Sequence, residues 1–173
     1  MSLLLTGAGG VSVSPVTPGS IVYDTPGGFT FEVGVDCPSN VGSVRVCVHS
    51  SGQPGAGIAI SATSGRSGGA GGGYAEATVG GGLLVPGAKL LITVAASASK
   101  STEFPPPVTG NNSSVVDEQT GGSLVTIAAV ACGGFGNWGF PGEGTASGTN
   151  ISDAVTVSGG ESNPASGAAG GAV

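Results

Sequence analysis

Apolar and polar residues alternate with a two-residue period in several short stretches of this chain. Nowhere do apolar groups recur at helical spacing for a dozen residues without a glycine or proline interrupting. In FTFEVGV, Phe29, Phe31, Val33 and Val35 share one face, and in SVRVCV, Val44, Val46 and Val48 do. Side chains alternate across a strand, so such segments bury one face and leave the other to solvent, as in an antiparallel sheet. The same rhythm predicts strands over residues 20–23, 29–35, 42–49, 57–62, 73–79, 89–94, 123–131 and 154–158. Thr25-Pro26-Gly27-Gly28 and Val85-Pro86-Gly87-Ala88 place proline before glycine, which suits type II turns. Short strands punctuated by turns predict an all-β fold, an antiparallel β-sandwich or jelly-roll-like architecture with long glycine-rich loops.

The organisation expected is one β-sandwich domain over residues 20–158, preceded by an N-terminal arm over 1–19 and followed by a tail over 159–173. Within the domain, a polar, weakly patterned excursion runs near 95–122. It contains Pro105-Pro106-Pro107, expected to be extended, and a short strand at Val115 and Val116. The tail is glycine, alanine and serine with one proline, and has too little apolar area to fold by itself. In the stretch 68–94, the glycine run 68–73 is read as backbone that lies against something else, while 74–79 and 89–94 form sheet.

Composition adds partners to that picture. The 173 residues include 36 glycines and 11 prolines, and only 8% are charged, against roughly 25% in an average soluble domain. A surface so poor in ions is expected to be covered by neighbours, and a homo-oligomer is the simplest assembly. Four basic residues, Arg45, Arg66, Lys89 and Lys100, stand against ten carboxylates, giving a net charge of −6. Nucleic-acid binding needs clustered cations, so it is not expected. No apolar run near bilayer length occurs, and MSLLLTGAGG lacks the features of a secretory leader, so membrane association is not expected and assembly in a cytoplasm is.

Candidate chemistry is sparse. His49 is the one histidine, at a strand end, with no nucleophile motif to serve. Asp117 and Glu118 are adjacent carboxylates expected to diverge into a solvated loop rather than to pair for glycoside hydrolysis. Cys37, Cys47 and Cys132 make an odd count without metal spacing and are read as free thiols, a Cys37–Cys47 bridge being the alternative. No enzyme, cofactor or metal is expected. The remaining candidate is the aromatic cluster Phe135, Trp138 and Phe140 in a glycine-rich segment. It fits a local hydrophobic plug, an intersubunit anchor or a glycan platform.

The order of motifs resembles the glycine-rich domain of bacteriophage tail and other virion structural proteins. The matching residues are Phe29-Thr30-Phe31-Glu32-Val33, Cys37-Pro38-Ser39-Asn40-Val41, Val44-Arg45-Val46, Gly71-Gly72-Gly73-Tyr74-Ala75-Glu76, and Pro86-Gly87 leading to Leu91-Ile92-Thr93-Val94. The resemblance covers residues 29–173. It implies a non-enzymatic virion protein, with other virion proteins as partners, either the major capsid protein or tail components. The role expected is a capsid decoration or cement accessory that stabilises the shell, the alternative being a tail-fibre or tail-tip adhesin that binds host surface glycans.

Overall fold

A computed structural model describes residues 2–7, 19–52, 71–96, 108–109, 112–129, 133–135, 138–140 and 142–160. Two five-stranded antiparallel sheets carry the fold. In chain order the strands are β1 (Ser2–Gly7), β2 (Gly19–Val22), β3 (Gly27–Glu32), β4 (Val41–His49), β5 (Tyr74–Val79), β6 (Lys89–Val94), β7 (Val108–Thr109), β8 (Ser113–Asp117), β9 (Thr126–Ala129), β10 (Gly133–Phe135), β11 (Trp138–Phe140), β12 (Gly144–Ser147) and β13 (Ile151–Val157). The first sheet has the order β13-β5-β4-β1-β2 and the second β12-β9-β8-β6-β3. The short strands β11-β10-β7 make a separate three-stranded sheet. The β-sandwich read from the sequence is therefore the architecture observed.

The alternation explains how the layers meet. Val44, Val46 and Val48 of β4 and Ala75, Ala77 and Val79 of β5 are fully buried, facing Phe31, Leu90, Ile92, Val115, Ile127 and Ala129 from the second sheet. Inner faces of stacked sheets interdigitate into a core about 10 Å thick. Each buried valine or leucine side chain is worth roughly 1.5–3 kcal/mol relative to exposure.

The strands expected over 123–131 and 154–158 are observed as β9 and β13, and three further differences change the layers. The strand expected over 29–35 stops at Glu32, because the chain turns there: Val35 and Asp36 N–H groups both donate to Glu32 O, and the Asp36 carboxylate accepts from Glu32 N–H at 2.7 Å. Val35 is consequently 73% exposed rather than in the core. Residues 2–7, expected in an N-terminal arm, form β1 between β4 and β2. The polar excursion contains β8, which occupies the centre of the second sheet, between β6 and β9. The strand expected over 57–62 lies outside the described residues, as do Cys132 and the tail beyond Gly160.

The strand order gives the sandwich two unlike ends. At one end, tight connections join β3 to β4, β5 to β6, β8 to β9 and β12 to β13. At the other end the chain leaves β4, β6, β9 and β13 into residues 50–73, 95–112, 130–143 and 158–160. Strands β7, β10 and β11 belong to these longer connections, so the small sheet is built from two of them.

Candidate functional site

The loop-bearing end is held by bare backbone. Gly71 N–H donates to Gly160 O at 2.9 Å, Gly142 N–H to Gly71 O at 3.0 Å, and Gly159 N–H to Gly142 O at 2.9 Å. Three distant segments thus meet in a collar of main-chain hydrogen bonds. Next to it, Gly73 N–H donates to Ser50 Oγ at 2.8 Å, and Ser50 N–H to Gly73 O at 3.1 Å. Glycine is required there by distance: a Cβ on Gly144 would collide with Tyr74 O, and one on Gly159 with Gly71 O. The run 68–73 was expected to lie against something else, and in its described part Gly71 lies against Gly142, Gly159 and Gly160 of the same chain, while Gly72 and Gly73 lie against Ser50 and Glu143.

The aromatic segment lies in the connection between β9 and β12. The candidate contacts Phe135, Trp138 and Phe140 fall in the β10–β11 hairpin, with Phe135 opposite Trp138 and Phe140 opposite Gly133. Pairing of β10 with β7 brings residues 108–109 to the same small sheet. The structure therefore places all three aromatic positions on one hairpin at the loop-bearing end.

A second group lies on the outer face of the first sheet, and sequence reasoning missed it. Arg45, Cys47 and His49 alternate with the buried valines of β4, opposite Thr78, Glu76 and Tyr74 of β5. The Glu76 carboxylate accepts from Arg45 Nη2 and from Tyr74 OH, and Cys47 Sγ lies 3.3 Å from its Oε2. The His49 and Tyr74 rings pack tilted, with centroids 4.6 Å apart. Burial, followed by the hydrogen bond and charge of Cys47, pushes the Tyr74 phenol up to about 12 against the opposing effect of Arg45. Desolvation pushes His49 below the usual imidazole range. The signal for this row was present in the period-two spacing of Arg45, Cys47 and His49. Its cross-strand partners depended on a register that the sequence left open.

The arrangement ties charges together. Glu76 engages three donors, and His49 contacts an aromatic ring. Among the described residues no group of three or more His, Cys, Asp or Glu side chains converges to hold a metal. Cys37 is buried and Cys47 half-buried, and both are free thiols, so the alternative Cys37–Cys47 bridge is corrected. Cys37 sits in the β3–β4 turn, paired with Val33, while Cys47 lies near the far end of β4.

Asp117 also departs from its expected place. It is not in a solvated loop: it ends β8 on the inner face and is fully buried. Its Oδ1 accepts from Val125 N–H at 2.9 Å and Leu124 N–H at 3.1 Å. Its Oδ2 accepts from Thr120 N–H at 2.8 Å and Thr120 Oγ1 at 2.7 Å. Burial pushes this carboxyl upward, but the Thr120 hydroxyl and the Val125, Thr120 and Leu124 N–H groups outweigh it and hold the group below the ordinary aspartate range. Comparison with known proteins gave no matching family model, curated protein or solved structure.

Proposed function

We propose that this chain is a non-enzymatic structural protein of a bacteriophage virion, acting through its loop-bearing end as a tail-tip or tail-fibre adhesin for host surface glycans. One observation carries the reading: β4, β6, β9 and β13 all end at one end of the sandwich, where the described residues 50–52, 71–73, 142–143 and 158–160 meet, and the Phe135, Trp138 and Phe140 hairpin belongs to the β9–β12 connection that starts there. Loops gathered at the end of a rigid sandwich are a common site of recognition. Aromatic rings supply large contact area with little conformational entropy to lose, and their faces suit the apolar face of a sugar.

A capsid decoration or cement role is the second reading. It is favoured by a separate observation, the exposed Val22, Val155 and Val157 on a chain with few charges. Repeated copies would cover such surface against the major capsid protein. Trp138→Ala separates the two. For an adhesin the variant virions assemble normally and fail to attach to host cells. For a cement protein attachment is unchanged and the shell becomes less resistant to heat. Counting copies per purified particle by mass spectrometry checks both, since a few copies fit a tail component, hundreds fit decoration, and absence from the particle removes both.

A further inference from the structure

The two edges of the first sheet match one another. Among the described residues, strand β13 bonds to β5 on one side only and β2 bonds to β1 on one side only, so each ends the described sheet. Six of the seven residues of β13 are exposed, as are three of the four in β2. Edge strands present a row of unpaired N–H and C=O groups, which proteins commonly guard with lysine, proline or a bulge. Neither strand contains lysine or proline. The guards are a bulge between Ser152 and Val155 and the charged Asp153 within it, which takes a φ of 51°; β2 has neither.

Register sharpens the match. Val155 pairs with Glu76, Glu76 with Cys47, Cys47 with Ser2, and Ser2 with Val22, so one row crosses the whole sheet from valine to valine. Val155 is 45% and Val22 60% exposed. Through the antiparallel pairings β13 and β2 run in the same direction, and in the second sheet the edges β12 and β3 also share a direction on the corresponding two sides. A second copy set beside the first would therefore continue both layers at once.

We propose that copies of this chain join edge to edge, with β13 of one against β2 of the next. The alternative, β13 against β13 about a two-fold axis, sets two strands that each carry Asp153 side by side, whereas β2 (Gly19–Val22) carries no charge. Head-to-tail contacts of this kind leave one unused edge at each end until rotation closes the set into a ring. The contact consumes both exposed edges, which offsets the aggregation hazard that open strands create. This association does not depend on the virion reading.

Sedimentation velocity across the micromolar range tests it. The wild-type chain should sediment as a higher assembly, and Val155→Lys and Val22→Lys should each be monomeric with unchanged far-ultraviolet circular dichroism. Mixing the two variants should restore a dimer and nothing larger, because each retains one intact edge. A monomeric wild type overturns the proposal. So does a Val22→Lys variant that assembles normally, which would mean that β2 takes no part. Should either lysine variant misfold, Val155→Thr and Val22→Thr provide the same pairing test, with weakened assembly in both expected and an undiminished assembly in either overturning it.

Discussion

Where β5 gives way to β6, Gly87 follows Pro86 at a φ of 82°, and a Cβ placed on it would meet nothing within 4 Å. At the opposite end Gly144 has no left-handed backbone, yet a Cβ there would collide with Tyr74 O. The first glycine sets the direction of the chain, and the second sets the distance between chains. The turn at Gly87 is pinned by its N–H to Val33 O at 2.8 Å and by Val33 N–H to Ala88 O at 2.9 Å. The two ends also satisfy their polar backbone differently. At the turn end a buried carboxylate, Asp117, gathers the donors of the β8–β9 connection. At the loop end glycine main chains bond one another. Side-chain hubs hold a short turn against one strand, whereas bare backbone allows three remote segments to approach together.

The comparison can be broken, beginning with the largest effect. Asp117→Asn keeps the shape but removes the charge and sets an amide against buried donors, so unfolding stability should fall by about 3 kcal/mol or more in denaturant titrations. The same carboxylate gives a pH signature. Its folded-state pKa is depressed, so its stabilisation is fully present above the ordinary aspartate range and is lost as pH falls through that range to the lower folded value. Acid unfolding midpoints of the wild type should show that loss, and Asp117→Asn should remove it.

Next in size, Gly144→Ala forces β12 away from the Tyr74 backbone of β5 beside the collar and should cost about 1–3 kcal/mol, with faster proteolysis confined to the loop-bearing end. Smallest is the turn: Gly87→Ala should cost about 1 kcal/mol and Gly87→Asn less, since asparagine tolerates left-handed backbone. If thermal unfolding gives Gly87→Asn the same penalty as Gly144→Ala, the distinction between direction and distance fails.

Much of the sandwich was legible because burial on one face writes itself into the sequence. The spacing of Val44, Val46 and Val48, and the Pro86-Gly87 turn between two apolar segments, correspond to β4, β5 and β6 as observed. Strand ends were harder to read. Val35 continues the alternation past Glu32, yet the Asp36 side chain bonds back to Glu32 N–H and closes a turn. Local side-chain hydrogen bonds of this kind compete with the ladder and leave no periodic trace. Asp117 was misread because a charge within a polar stretch suggests solvent. Its parity with Ser113 and Val115 and the threonine three residues on were the available signs of an inward carboxylate capping a turn. The row Arg45, Cys47, Glu76 and Tyr74 required knowledge of which residues stand opposite, and the collar required three segments far apart in sequence.

The collar also has a consequence for the order of events during synthesis. Its hydrogen bonds join Gly71, Gly142, Gly159 and Gly160, so the ring stays open until nearly all of the described chain has left the ribosome. Strands β4 and β5 can pair early as neighbours, but the loop-bearing end waits for the last strand. Contacts between remote residues form late and slowly. The nascent protein therefore exists for a time as a partly built sandwich with its glycine segments unjoined, and arrival of β13 and the two glycines beyond it is the step that seals that end.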